Sequence, residues 1–303
     1  MNILSLFDGM ACGRIALDKL GVHVDNYYAS EVDKYAMQVA DDNYPNIIRV
    51  GDVRDLDPTT LPKIDLMIGG SPCTNFSLIG NQQGMSTECE MDVIDLDHYL
   101  KLKAEGFEFK GQSYLFWEYM RLKRDLQPEY FLLENVKMAP KWESVLSNAI
   151  GVRPIQINST LVSAQNRVRF YWTNIQGVGQ PADRHVTYRD VIDQPGVFPA
   201  TVRKGTPRPV QMTGDKFLCL TATYYKGVRA DGRPALAPHA GVFDEMQRTG
   251  ECRMLTPVEC ERLQTVPDNY TSAVSNTQRY KMLGNGWTVD VIAHIFKHMY
   301  PFL

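Results

Sequence analysis

The sequence predicts an α/β protein with a mostly parallel sheet, helices on both faces and a smaller second region. Three observations carry this. Short apolar runs ending in small or acidic residues recur in the first half, at 2–7, 24–32, 48–53, 65–70 and 129–136. Helical periodicity fills several gaps between them, at 12–21, 33–44 and 112–126. Strands that alternate with amphipathic helices require parallel pairing with cover on both faces. From 174 to 251 the texture then changes to many Pro, Gly and Thr, which predicts a separate small domain of irregular structure and short strands.

The 303 residues are 44% apolar and 22% charged, a globular composition that excludes disorder as the main state. No apolar run reaches 18 residues and no basic segment precedes the short apolar start. An intracellular protein is therefore expected, with neither a membrane span nor a secretory signal. The cysteines at 12, 73, 89, 219, 252 and 260 form no CxxC pair and no rhythm with histidine; reduced thiols are expected, without zinc or a disulfide framework.

In such sheets ligands sit beyond the carboxyl ends of the strands, so those ends are the places to inspect. The first strand runs into "FDGMACG", where Gly9 and Gly13 lead into a helix and can bring amide donors close to a ligand, or simply form a tight turn. The second ends at Glu31, placed to accept from ribose hydroxyls, and the third at Asp52. Gly, Glu and Asp at three successive strand ends suit a nucleoside-bearing cofactor without a diphosphate, S-adenosylmethionine rather than a dinucleotide.

The fourth strand ends in "GGSPC". Cys73 reads there either as a small buried hydrophobe in a turn or as a nucleophile. The fifth delivers "LLENV", with Glu134 at the edge of the same crevice. A thiol beside a carboxylic acid suits addition to an electron-poor ring whose nitrogen the acid protonates or bonds; a helix cap or surface acid is the alternative for Glu134. Further on, Arg167 and Arg169 stand two apart, so on one strand they share a face, and paired arginines bind a carboxylate or a polar base edge or are merely solvated. The net charge of −3 hides seven basic residues against two acids in 203–233 and seven acids against three lysines in 84–112. Helical periodicity returns after 252: Thr256 can cap one helix, and Val291, Ile292, Ile295 and Phe296 share a face of another. This segment is expected to rejoin the first domain, dividing the chain into 1–173, 174–251 and 252–303.

Taken together, "LSLFDGMACG", Glu31, "GDV" at Asp52, "GGSPC", "ENV", "QNRVR", "RMLTPVECERLQTVPDNY" and "MLGNGWTVDVI" resemble, in order and nearly end to end, the DNA (cytosine-5)-methyltransferase family. Their wording is most similar to the animal de novo branch. The resemblance implies a Rossmann-like, S-adenosylmethionine-dependent methyltransferase domain with a small target-recognition domain inserted at 174–251. It implies that Cys73 attacks C6 of a flipped cytosine, that Glu134 stabilises the N3-protonated adduct and that Arg169, with Arg167 beside it, holds the base. It places Phe7, Gly9, Gly13, Glu31, Val32, Asp52, Val53, Ser71, Pro72, Asn285 and Trp287 at the cofactor. Ser77, Arg203, Lys204, Thr221, Lys226, Arg229 and Arg233 are the expected contacts to double-stranded DNA, and "CLTATYYKG" (219–227) resembles the threonine-containing recognition segment of bacterial relatives.

Two features depart from the family pattern. Thr74-Asn75-Phe76-Ser77 replaces the common Gln-Gly-Phe-Ser, and the acidic stretch 86–110 reads as an insertion, a regulatory or partner-binding flap. The cofactor motif at the start of the chain predicts an enzyme with little beyond catalytic and recognition parts, in a bacterial or phage-infected cytoplasm, or in a nucleus if it is an excised catalytic domain. A tRNA-directed enzyme and a catalytically silent partner of a methyltransferase are the alternatives. A homodimer and a restriction endonuclease partner are compatible with the sequence, but no motif marks either.

Overall fold

The computed structural model describes residues 1–72, 85–193, 202–203, 206–207, 215–226 and 255–299. Cys73, Ser77, Lys204, Arg229 and Arg233 lie outside the described residues, and Arg203 and Lys226 are described in backbone only.

The strands expected in the first half form with trimmed ends: β1 (Asn2–Leu6), β2 (Asn26–Ser30), β3 (Ile48–Arg49), β4 (Leu66–Gly70) and β5 (Tyr130–Val136). They pair in parallel in the order β3-β2-β1-β4-β5. Three later strands follow: β6 (Ile155–Asn158), β7 (Gln165–Asn166) and β8 (Val168–Thr173). Of these, β8 adds antiparallel to β5, and β6 antiparallel to β8, completing seven strands. The chain moves outward from β1 through β2 to β3, then returns to β4 on the other side of β1. That reversal opens a crevice at the carboxyl ends of β1 and β4, where open α/β sheets bind ligands.

Successive side chains of a strand face opposite sides, and here both sides are buried. Ile3, Leu66, Ile68 and Leu132 join one apolar cluster, while Leu4, Leu6, Met67, Phe131 and Leu133 join the other. This explains the near-continuous apolar runs in the sequence. The first cluster is covered by α1 (Cys12–Lys19) and α2 (Lys34–Asn43), the second by α4 (Phe116–Leu126) and α5 (Pro140–Ile150). Gly13 sets how closely α1 seats: a Cβ there would lie 2.2 Å from Ile68 Cδ1. The glycine expected at the cofactor therefore serves the contact between helix and sheet.

The acidic insertion is a folded element. It carries α3 (Leu96–Ala104) and two isolated bridges, Ser86 to Asp92 and Thr87 to Phe109. Tyr99 packs against Phe109 and Tyr114 at ring distances of 5.0 and 6.2 Å. The fully buried Glu118 of α4 gathers the Tyr99 hydroxyl, Lys103 Nζ at 2.6 Å and Arg121 Nε at 2.7 Å. Lys103 also donates to the carbonyl of Arg54 at 3.1 Å. The insertion is thereby anchored beside the third strand end.

The described part of the segment after 252 packs on the sheet in α6 (Pro257–Leu263), α7 (Asn276–Asn285) and α8 (Val289–Phe296). Thr256 and Glu259 form a reciprocal cap at the start of α6. Val291, Ile292, Ile295 and Phe296 of α8 are all fully buried in the first cluster. The boundary expected at 174 separates no second core among the described residues, because Ile175, Tyr188, Val191, Phe217, Leu220 and Tyr224 belong to that same cluster. The remaining described strands are short: β9 (Val202–Arg203) pairs with β10 (Thr206–Pro207), and β11 (Phe217–Leu218) pairs in parallel with β7. Among the described residues no helix is long and apolar enough to cross a membrane, and no group of His, Cys, Asp and Glu could hold a metal ion.

Candidate active site

A cavity of about 550 Å³ opens at the carboxyl ends of β1, β2, β4 and β5, and α7 closes its far side. Phe7, Gly9, Glu31, Val32, Asp52, Val53, Ser71, Pro72, Glu134, Arg167, Arg169, Asn285 and Trp287 all line it. Gly13 does not. The structure also brings in Asp8, Arg54, Gln112, Tyr114 and Lys281, which sequence reasoning did not single out.

The loop from β1 to α1 is tightly wound, with Phe7, Gly9 and Ala11 at φ 55°, 58° and 63°. For Phe7 and Ala11 this left-handed backbone is unfavourable, which marks the loop as held by its surroundings. Glu31 is one of its anchors. Its carboxylate accepts from the N–H of Gly9 at 2.7 Å through one oxygen, and from those of Val32 and Asp33 at 2.8 Å through the other. The Gly9 amide expected to face a ligand is thus committed to Glu31. Val32 leaves 69% of its surface exposed at the cavity rim, an apolar plate beside that carboxylate.

Asp52 accepts a forked pair from Arg54, whose hydrogen bonds hold its carboxyl below the usual range. Asp8 behaves in the opposite way. Burial pushes its carboxyl up to about 6 against hydrogen bonds from Ser5 and Tyr27 and the charge of Arg49. Among the described residues one of its oxygens has no hydrogen-bond partner, with Arg49 Nη1 3.7 Å away. Its signal was the FDG triplet, which sequence reasoning credited to the glycine.

Glu134 lies at the end of β5, opposite Gly70 of β4 and Tyr171 of β8. It is 8% exposed. Arg169 Nε pairs with one carboxylate oxygen at 3.1 Å, and Trp287 Nε1 donates to the other at 3.1 Å. The neighbouring Asn135 donates its side-chain amide to both the carbonyl and the hydroxyl of Ser71, at 3.1 and 3.0 Å. That clamp fixes the end of β4 against β5, two residues before Cys73.

The two arginines do not share one strand, because Arg167 sits in the break between β7 and β8. It is 3% exposed, and its guanidinium donates to the carbonyls of Leu220 at 2.9 Å, Gly286 at 2.7 Å and Gly284 at 3.4 Å. These bonds tie the β7–β8 strand to residues 219–220 and to the end of α7. Arg169 alone reaches Glu134. Both guanidinium groups nevertheless converge on the sulfur of Cys219, at 3.2 and 3.6 Å.

Thr221, expected at DNA, packs its backbone against α7. A Cβ at Gly284 would lie 2.1 Å from Thr221 C and 2.3 Å from Ala222 N. Backbone cannot swing aside as a side chain can, so Gly284→Ala is expected to cost about 3 kcal/mol by overpacking. Urea unfolding checks this: an unchanged midpoint would show that the two segments part without cost.

Residues 1–96, 102–147 and 220–300 match the family described as C-5 cytosine-specific DNA methylase. The orphan methyltransferase M.SPRI of Bacillus phage SPR is 29% identical over 189 residues, 58% of this chain and 38% of that protein. The type II methyltransferase M.HhaI of Haemophilus parahaemolyticus is 24% identical over 342 residues, 97% of this chain and 93% of that one. Among solved structures, the S. pombe Dnmt2 methyltransferase superposes with a TM-score of 0.68 at 16% identity, over 98% and 97% of the two chains, a likeness of fold.

Proposed function

Since the chain belongs to the C-5 cytosine-specific DNA methylase family, whose cofactor is S-adenosylmethionine, we propose that it methylates C5 of cytosine in duplex DNA through a covalent adduct on Cys73. The observation that carries this is the placement of Glu134, braced by Arg169 and Trp287 in the cavity wall beside the strand end that leads to Cys73.

The cavity lining fits the cofactor. Arg54 compensates Asp52, Arg169 compensates Glu134 and Lys281 compensates Asp33, whereas among the described residues backbone amides alone hold the Glu31 carboxylate. Glu31 therefore remains an acceptor for ribose hydroxyls, with Val32 beside it for the base. S-adenosylmethionine supplies an electrophilic methyl group on a sulfonium sulfur.

In this mechanism the Cys73 thiolate forms a bond to C6, and the electron pair of the C5–C6 double bond becomes available at C5. N3 takes up a proton as the adduct forms, relayed from solvent by Glu134, whose carboxylate then accepts from the N3–H; Arg169 donates to O2, and the proton returns by the same path when the ring is restored. After C5 is methylated, its proton leaves to a base and the C6–S bond breaks, which restores the ring and releases Cys73. A stacked base exposes neither face of C5, so the cytosine must leave the helix, at a cost of a few kcal/mol.

Methyl transfer from labelled S-adenosylmethionine tests this, with duplex DNA and tRNA offered separately and the labelled base identified. Label at C5 of DNA cytosine is the expected outcome. Label on tRNA alone would move the chain to an RNA substrate, and none on either would favour a silent partner.

The basic residues beyond β11 are assigned to phosphates and base edges. Changing Lys226, Arg229 and Arg233 together to alanine is expected to lower duplex affinity and to reduce the slope of log Kd against log salt by roughly one for each phosphate no longer neutralised. Fluorescence anisotropy across a salt series reads both; an unchanged slope would remove these residues from the DNA interface.

A further inference from the structure

Cys219 is used by no step above, yet its sulfur touches both arginines of the site. The thiols of this chain sit in contrasting surroundings. Cys12 also lines the cavity, but burial pushes its thiol up to about 12, where it is an inert apolar group. For Cys219 burial acts in the same direction, but the charges of Arg167 and Arg169 outweigh it and hold the thiol below its ordinary value.

The geometry around Arg169 gives this consequence. Its guanidinium has three nitrogens and each has one anchor: Nε on Glu134 at 3.1 Å, Nη1 on the carbonyl of Val168 at 2.8 Å, and Nη2 on Cys219 Sγ at 3.6 Å. Three anchors fix the plane and leave two of the five N–H groups for a base edge. Charge gives a second, independent reason. The buried Arg167 and the half-buried Arg169 are two cations facing one carboxylate, because among the described residues Arg167 is otherwise bonded only to neutral carbonyls. One further anion balances the group, and the sulfur lies between the two guanidinium groups.

We infer that Cys219 is a positioning residue, held as a thiolate between Arg167 and Arg169, and that it fixes the plane in which Arg169 meets the target base. Cys219 directly follows β11 and opens the segment 219–227. The anion thus ties the seating of that recognition segment to the orientation of Arg169. Among the described residues, the charged and titratable groups acting on the sulfur are Arg167, Arg169 and Tyr171, and the thiol form also donates to the Leu220 carbonyl at 3.4 Å, a bond that ionisation gives up.

This role rests on the proposed methyl transfer, so it is tested in two ways. Steady-state transfer with Cys219→Ala and Cys219→Ser is expected to show kcat lowered roughly tenfold or more, the scale of a slight misplacement in an active site, with KM for S-adenosylmethionine unchanged. Cys219→Asp, which restores an anion, should recover most of it. Native kcat in Cys219→Ser, or no gain in Cys219→Asp over Cys219→Ala, would overturn the role.

The second test needs no activity. The ultraviolet thiolate absorbance of the native chain minus that of Cys219→Ser is expected to titrate below the ordinary thiol value of about 8.5. A midpoint at or above that value overturns the inference. A native chain that transfers no methyl group would instead condemn the functional reading alone, and the absorbance titration would still decide Cys219.

Discussion

Cys73→Ser is expected to bring methyl transfer below detection while S-adenosylmethionine still binds. A serine hydroxyl is almost wholly protonated at neutral pH, whereas a thiol is a few per cent ionised even before its surroundings help, and is intrinsically more nucleophilic. Ser71 and Pro72 line the cavity ahead of Cys73, and the cofactor keeps these contacts in the variant. Glu134→Gln keeps the shape and still accepts through one atom, but loses the charge that meets an N3–H. Its kcat should fall about 10²- to 10⁴-fold, the usual range for a lost acid–base group. A duplex carrying 5-fluorocytosine separates the two roles, because fluorine cannot leave C5 as a proton does. The native chain should then stay covalently attached through denaturing electrophoresis, Glu134→Gln should attach slowly, and Cys73→Ser should not attach. Methyl transfer by Cys73→Ser at the native rate would remove the adduct from the mechanism.

Much of this site could be read in the sequence because a parallel sheet concentrates its chemistry at strand ends. Glu31, Asp52 and Glu134 each stop an apolar run, and each lines the cavity. The position of a strand end is a local property, set by where the apolar run stops. The cap at Thr256 and the buried face of α8 were readable for the same reason, since caps and helix faces are fixed by neighbours three or four residues away.

What the sequence hid depends on contacts between distant segments. Gly13 stood in a glycine-bearing loop and was assigned to the cofactor, but its neighbour is Ile68, 55 residues on. The acidic insertion read as a surplus of negative charge, although Lys103 within it reaches Glu118 and the Arg54 carbonyl. The two arginines looked equivalent at spacing two, and the break between β7 and β8 gave them separate tasks. Cys219 carried no local signal at all, since its meaning comes from guanidinium groups 50 and 52 residues earlier.

That division of labour gives the second large expected effect, on stability. The return of the chain after 252 is held by a buried polar network as well as by apolar packing. Gln165 donates to the Leu263 carbonyl at 2.7 Å and to Gln264 at 2.9 Å, Gln264 donates to the Leu283 carbonyl at 2.6 Å, and Ser159 donates to Thr288 at 2.8 Å. Arg167 completes it, because Leu220, Gly284 and Gly286 all direct their carbonyls at its guanidinium. In Arg167→Ala the Leu220 and Gly284 carbonyls lose a charged donor, while Gly286 keeps the amide of Gln264 at 3.2 Å, and each buried acceptor left unpaired costs about 1–3 kcal/mol. The expected loss is about 3 kcal/mol, a large share of the 5–15 kcal/mol that stabilises an ordinary domain. Arg169→Ala should cost less stability, because Glu134 keeps the indole of Trp287 and faces the open cavity, yet more activity, because the base loses its donor. Urea unfolding of both variants beside their kcat values reads the split. If Arg167→Ala keeps the native midpoint and loses only kcat, this arginine belongs to the chemistry and the latch is held by the glutamines alone.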